Sequence, residues 1–120
     1  MRFTTKWKEN LVKMNNSQNN SEKIIGLLGL AAKAGKLVYG TPMVCDALKD
    51  GKKVYYVFRA SGTSENTAKR ISDRCAYYNV QLVDVELDTV ELAQRLGKSS
   101  ELAAVALIDA GFAEGIKKLI

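Results

Sequence analysis

The sequence contains no histidine, and it has only two cysteines and one proline among its 120 residues. Without histidine the chain lacks the commonest general base at neutral pH, the usual partner of a nucleophilic serine, and the usual nitrogen ligand of zinc. Two cysteines alone cannot complete a structural zinc site. We therefore expect a protein that is not an enzyme and that holds no metal.

The two cysteines, Cys45 and Cys75, lie far apart in the chain, each among apolar residues at helical spacing. The sequence has no C-x-x-C pair of the kind that carries redox or metal chemistry. We interpret both as reduced core residues rather than as a disulfide or a redox pair.

A long apolar run is also missing. The longest candidate, residues 24–34, is interrupted by glycines and falls short of the ~20 apolar residues that a membrane span needs. The first residues lack the apolar segment of a secretory signal. Neither a G-x-G-x-x-G nor a G-x-x-x-x-G-K-[ST] motif is present. These absences predict a cytoplasmic protein with no cofactor and no membrane partner.

Two further patterns have structural explanations. Gly26 and Gly29 have the spacing of the backbone clamp in KH domains, but they lie inside an apolar helical repeat, so we attribute them to close helix packing. Asp84, Glu86 and Asp88 cluster near the end of a predicted strand. Their alternating spacing splits or exposes them, which favours a solvated strand end over an acid/base pair.

The net charge of +5 is distributed unevenly along the chain. Residues 1–21 contain four basic residues and one acidic residue, and residues 23–74 contain ten basic and four acidic residues. Residues 75–120 reverse the balance, with four basic and seven acidic residues. The basic half favours a polyanionic partner. Because the stretch before residue 22 is polar and low in complexity, we predict a basic tail at residues 1–21 and one domain at residues 22–120.

The predicted domain alternates between helical and strand patterns. Thr41 is expected to cap the second helix and Ser64 the third, and Asp88 with Glu91 forms a capping box for the fourth. Strands are predicted at residues 37–39, 54–58, 80–85 and 103–108. The last strand is wholly apolar and is therefore expected at the centre of the sheet. Helices on both faces of this mixed four-stranded sheet give an α/β fold, a three-layer α-β-α sandwich.

Basic and small polar residues gather at the ends of these elements. Lys33 and Lys36 precede Gly40 and Thr41, where a helix N-terminus can hold a phosphate through free N–H groups and the helix dipole. A second group follows the second strand: Arg59, Ser61, Thr63 and Asn66. Because loops after strand ends gather along one edge of such a sandwich, both groups could form one nucleic-acid site. Charged residues that only solvate a face are the alternative explanation.

Four segments together resemble a known family: IIGLLGLAAKAGKLVYG, TPMVCDALKDG, SENTAKRISDRCAYYNV and ALIDAGFAEGI. Over residues 22–118 the chain is similar to the bacterial YlxQ-type branch of the L-seven-Ae/L-thirty-e ribosomal proteins, which bind kink-turn RNA. The resemblance implies an α-β-α sandwich, a ribonucleoprotein role and an RNA site in three parts. These parts are a Gly-Thr pair that opens the second helix, a loop after the second strand, and a loop before the last strand.

Each part has a counterpart in this chain. The Gly-Thr pair is Gly40 and Thr41, which Pro42 and Met43 follow. The loop after the second strand consists of Arg59, Ala60, Ser61, Gly62 and Thr63. The loop before the last strand is residues 98–102, where the side chain of Leu102 is expected to rest against extruded bases.

The chain departs from the family pattern just after the Gly-Thr pair. Kink-turn binders have Asn and Glu there, whose side chains contact sheared guanines, and a Lys three residues later; this chain has Pro42, Met43 and Asp46. The departure favours a different RNA bend, or shape-and-charge binding to ribosomal RNA. A protein-interaction module that kept the fold and lost RNA recognition is the second hypothesis. We expect a monomer, in which Lys36 and Arg59 are surface cations whose loss leaves the fold intact.

Overall fold

The computed structural model of the chain describes residues 20–120 as alternating helices and strands. The predicted basic tail, residues 1–21, lies almost wholly outside the described residues. The first helix, α1, runs through residues 20–33. The other elements follow in this order: β1 (Leu37–Tyr39), α2 (Thr41–Lys49), β2 (Tyr56–Ser61), α3 (Glu65–Tyr77), β3 (Gln81–Asp88), α4 (Thr89–Arg95), β4 (Ala104–Leu107) and α5 (Ala110–Lys117). In this part of the chain, no helix has the length and apolar character needed to cross a membrane.

The strand β4 lies inside the sheet, whose order is β1-β4-β2-β3. It pairs antiparallel with both β1 and β2, whereas β2 and β3 run parallel. All four residues of β4 are buried, as expected for a strand that helices cover on both faces. The predictions of a mixed sheet and of a central apolar strand are confirmed.

Alternate residues of the inner strands face two different layers of helices. Phe58 of β2 and Val105 of β4 belong to a core that α1, α4 and α5 complete. Their neighbours Val57 and Ala106 belong to a second core, which α2 and α3 complete. All four side chains are fully buried. One helical layer therefore covers each face of the sheet, and the predicted three-layer sandwich is confirmed.

Two of the three predicted helix caps are confirmed. The hydroxyl of Ser64 accepts a hydrogen bond from the backbone N–H of Thr67 at 3.3 Å. Asp88 and Glu91 form the capping box, since the Glu91 N–H donates to Asp88 at 2.8 Å and the Asp88 N–H donates to Glu91 at 3.0 Å. The prediction that Thr41 caps α2 is wrong, because Thr41 is the first helical residue and is buried, while Gly40 occupies the cap position.

Three strands have other boundaries than the pattern predicts. β2 is Tyr56–Ser61 instead of residues 54–58, and β4 is Ala104–Leu107 instead of residues 103–108. β3 continues beyond residue 85 to Asp88. The extension keeps the alternation of the strand, because Val85 and Leu87 are buried whereas Asp84, Glu86 and Asp88 are exposed. These carboxylates lie on the solvent side of the strand, as the strand-end interpretation requires. Within residues 20–120, no three acidic or cysteine side chains come together as a possible metal site.

Candidate functional site

Two backbone hydrogen bonds bring the N-terminus of α2 and the end of β2 to the same place. The N–H of Gly40 donates to the carbonyl of Ala104, and the N–H of Ala60 donates to the carbonyl of Ala103, both at 2.9 Å. The N–H of Leu102 donates to the carbonyl of Thr89 at 3.1 Å, which fixes the preceding loop beside α4. We call the resulting surface the strand-end edge and define it as residues 40–43, 59–63 and 98–104.

The α2 N-terminus contributes to this edge backbone N–H groups that make no hydrogen bond within the helix. Gly40 has φ +88° and ψ 148°, and, of the side chains in the described residues, none caps the helix. The helix gives no internal partner to the amides of Thr41 and Met43, and Pro42 has no N–H. Pro42 and Met43 are exposed, the latter with 58% of its surface accessible. The helix start can therefore offer two amide donors and one apolar side chain to a ligand.

The end of β2 and the turn that follows it add a small exposed surface next to the helix start. Arg59, Ala60 and Ser61 lie within β2 and not in the loop predicted after it. Ser61 and Gly62 are exposed, and Gly62 has φ +71°, a conformation that favours glycine. Thr63 is half-buried, and Asn66 is exposed in the first turn of α3. Ala60 is buried and contributes only backbone to the edge. These small side chains allow a ligand backbone to approach closely.

Arg59 does not contribute a free cation. Its guanidinium donates to both carboxylate oxygens of Asp84, at 2.7 Å and 3.1 Å, and to the carbonyl of Ala68 at 2.9 Å. The Arg59 side chain is only 19% exposed. Arg59 thus joins β2 to both β3 and α3, and these contacts argue against the expectation that its loss leaves the fold intact.

Two other predicted contact residues are also placed differently. The carbonyl of Lys36 accepts from the N–H of Ile108 at 3.1 Å, so Lys36 stands at the end of β1 away from Gly40. The four residue steps between them span ~13 Å along an extended chain. Leu102 is only 6% exposed and belongs to the core, so its side chain is turned away from any base at the edge. Neither side chain belongs to the exposed part of the edge.

Lys98 and Tyr39 add a positive charge and an aromatic ring at the strand-end edge. The ammonium of Lys98 lies 4.1 Å from the centre of the Tyr39 ring, which is a cation–π contact. Lys33, at the end of α1, lines the same groove as these two residues. Burial raises the pKa of the Tyr39 phenol above its ordinary value, so the ring stays neutral at physiological pH.

The cysteines are free and buried, as predicted. Burial chiefly raises the pKa of Cys75 to about 11; the neighbouring Cys45 raises it further, and Arg59 lowers it. The Cys75 thiol is therefore protonated at neutral pH and a poor nucleophile.

Comparison with known proteins places this geometry in a family. Residues 22–116 match the model of the ribosomal protein L7Ae/L30e/S12e/Gadd45 family. The chain belongs to this family. The match confirms the resemblance seen in the sequence, and it includes the whole strand-end edge.

Individual members of the L7Ae/L30e/S12e/Gadd45 family match most of the chain. "RNA-binding protein YlxQ" of Enterococcus faecium is 34% identical over 104 residues, which are 87% of this chain and 97% of that protein. "RNA-binding protein YlxQ" of Bacillus subtilis (strain 168) is 36% identical over 94 residues, 78% of this chain and 91% of that protein. A solved structure, a protein of unknown function from Bacillus halodurans C, has a TM-score of 0.72 at 32% identity and covers 81% of this chain and 95% of its own.

Tyr39 lies beside the strand-end edge and is a residue that the sequence pattern did not reveal. In the sequence it ends a short apolar strand and gives no sign of a polar neighbour. Its contact with Lys98 follows from the pairing of Tyr39 with Val105, which sets β1 beside the start of β4. Strand register is a tertiary property, so only the position of Tyr39 directly before Gly40 could have drawn attention to it.

Proposed function

We propose that this protein binds structured RNA through the strand-end edge and acts without a catalytic step. The observation that carries the proposal is the position of the α2 N-terminus beside the exposed Ser61–Gly62 turn. Hydrogen bonds to Ala103 and Ala104 hold the two together, and no side chain of residues 20–120 caps the helix. Two relatives that share most of their length with this chain are named RNA-binding proteins. The role fits a ribosomal or other ribonucleoprotein RNA in the cytoplasm.

Phosphate recognition at this edge would use the backbone and the charges around it. The amides of Thr41 and Met43, together with the positive end of the α2 dipole, favour an anion. Lys98 and Lys33 stand beside that helix start and add positive charge. Such contacts fix a folded RNA by the spacing of its phosphates and carry no base sequence information.

Base recognition would differ from that of a standard kink-turn binder. The Pro42 ring and the Met43 thioether cannot make the paired hydrogen bonds by which amide and carboxylate side chains read base edges. The exposed Met43 can instead pack against a base or sugar, because thioether side chains adapt to irregular apolar surfaces. Asp46 is exposed one turn further along α2 and would repel a phosphate there. We therefore favour shape-and-charge binding, with ribosomal RNA as the first candidate.

Replacing Asn66, which follows the 59–63 segment at the start of α3, by Glu tests the neighbouring edge without disturbing the fold. Asn66 is exposed in the first turn of α3, where an acidic residue interacts favourably with the helix dipole. The added charge should weaken binding to fragmented ribosomal RNA by about fivefold, as expected for one charge near a phosphate at the surface. Ser72→Glu, in the exposed middle of the same helix, is the matched control and should bind like the unmodified protein.

The dependence of affinity on salt distinguishes RNA binding from a protein-interaction role. Binding through several phosphates should weaken by roughly tenfold or more between about 50 and 200 mM salt. Fluorescence anisotropy with labelled fragments measures both the salt slope and the effect of each variant. An affinity that ignores salt and is the same for Asn66→Glu and Ser72→Glu would favour the protein-interaction module instead.

A further inference from the structure

A second basic surface lies beside the strand-end edge, in a groove between α1 and the end of α4. The groove encloses about 440 Å³, and Gly26, Gly29, Lys33, Tyr39, Arg95 and Lys98 are among the residues that line it. We infer that this groove holds the phosphates of an RNA strand that leaves the strand-end edge. The inference rests on the proposed function and extends it to a second segment of the same RNA.

The charge of the groove favours an anionic occupant. Lys33 and Lys98 are exposed, and 45% of the Arg95 side chain is accessible. None of the lining residues that the structure describes is acidic. Glu22 lies nearby and contacts Arg95 at 3.3 Å, which leaves the two lysines uncompensated in the described part of the chain. Two uncompensated lysines beside Arg95 in one open groove favour a polyanion over a single small anion.

The part of α1 that lines the groove includes two glycines, which have no side chains. Among residues 20–120, a Cβ atom on Gly26 would meet nothing within 4 Å, and one on Gly29 would meet only the Arg95 carbonyl, at 3.9 Å. The attribution of these glycines to close helix packing is therefore wrong, since no other helix in the described structure needs their missing side chains. Each glycine lowers helix stability by about 1 kcal/mol relative to alanine. Because they have no side chains, the backbone of a bound RNA strand has room to approach the helix.

The groove continues directly into the strand-end edge. Tyr39 lines the groove and precedes Gly40, the cap residue of α2, while Lys98 opens the segment 98–104. A strand bound at the α2 amides can therefore pass into the groove without leaving the protein surface. Lys98 covers one face of the half-buried Tyr39 ring, so the ring is not free on that side to stack on a base. We assign the groove to phosphates rather than to bases.

An RNA with and without a single-stranded extension tests the assignment. The probe is a ribosomal RNA fragment bound by the protein, compared with the same fragment followed by about eight uridines, a length within the range for one single-strand site. We expect the extension to increase affinity by about fivefold or more and to steepen the salt slope by about 1 to 2. An extension that changes neither quantity in the unmodified protein overturns the inference.

Gly26→Glu and Arg95→Gln test whether the gain arises in the groove. Glu is a better helix former than Gly and meets no atom at position 26, so the first variant should melt at the same temperature or higher. Both variants should lose the gain from the extension and bind the unextended fragment as before, and Ser72→Glu should keep the gain. A gain in affinity that survives both changes overturns the inference. The effect of Asn66→Glu on the unextended fragment tests the proposed function of the strand-end edge and not the groove.

Competition identifies the class of occupant. Oligouridylate should remove the gain from the extension at a lower charge concentration than polyglutamate, because we assign the groove to an RNA backbone and not to an acidic peptide. Stronger competition by polyglutamate would overturn the assignment to RNA and point to an acidic protein segment.

Discussion

Arg59 and Asp84 form a two-point ion pair across the parallel strands β2 and β3, with N–O distances of 2.7 Å and 3.1 Å. The two residues are also register partners in the sheet. Because the same guanidinium donates to Ala68 in α3, one side chain holds three elements together beside the strand-end edge.

Arg59→Ala should therefore destabilise the fold. The variant loses a charge-assisted pair and a hydrogen bond to a backbone carbonyl, which together contribute about 1–3 kcal/mol to the free energy of unfolding. Urea denaturation measures the loss. Arg74→Ala, an exposed arginine of α3, should change stability by less than about 0.5 kcal/mol. Equal stability of the two variants would contradict the structural role of Arg59.

Gly40→Ala and Gly26→Ala should change stability in opposite directions. Gly40 has φ +88° and ψ 148°, a region that residues with a Cβ rarely enter, so alanine should cost about 1–3 kcal/mol. Gly26 lies within α1 with open space around it, so alanine should stabilise the protein by about 0.5–1 kcal/mol. Thermal melts of both variants test the pair. A higher melting temperature for Gly40→Ala would show that the α2 start has another conformation.

A triple variant should create recognition of a standard kink-turn. Pro42→Asn, Met43→Glu and Asp46→Lys supply the side chains that kink-turn binders of this family carry, at three exposed positions. Two restored base contacts should increase affinity for a kink-turn hairpin by about tenfold or more over a hairpin whose sheared pairs are replaced.

Asp46→Lys alone provides the control for this gain. It adds only positive charge and should strengthen binding to both hairpins equally. If the triple variant also fails to distinguish the hairpins, the α2 start does not present its side chains to RNA as proposed.

Stability should fall in alkaline solution partly because of Cys75. Its folded pKa of about 11 lies above the ordinary value of 9.0, so the folded state disfavours the thiolate. This contribution is complete below pH 9 and is lost as the pH rises through 11. The stability advantage of the unmodified protein over Cys75→Ala should therefore shrink over that interval. Urea unfolding of both proteins at several pH values tests this, and a constant difference would contradict the raised pKa.

The parts of the fold that could be predicted from the sequence depend on interactions between residues that are close in the chain. Ser64 and the Asp88–Glu91 pair act within one helical turn, so their spacing alone predicts the caps. The wholly apolar β4 could be placed at the centre of the sheet, because a strand that helices bury on both faces has apolar residues along its whole length. The start of α2 could not be located in the same way, since both Gly40 and Thr41 are common cap residues and the backbone angle of Gly40 decides between them.

The parts of the site that were misjudged depend on contacts between distant residues. Arg59 finds its partner 25 residues later, on a strand whose register no local pattern specifies. Lys36 and Gly40 are close in sequence, yet an extended strand carries them to opposite ends of the sheet. Leu102 is apolar and precedes a strand, and only its backbone bond to Thr89 and its burial show that it turns inward.

The position of β4 has a consequence for the order of events during synthesis. Residues 104–107 insert between β1 and β2, both of which leave the ribosome much earlier. Until this late segment emerges, the nascent chain has no middle strand to join its halves, and the helix start at Gly40 has no tether to the turn at Ser61. The newborn protein therefore acquires its proposed capacity to bind RNA only after β4 has emerged.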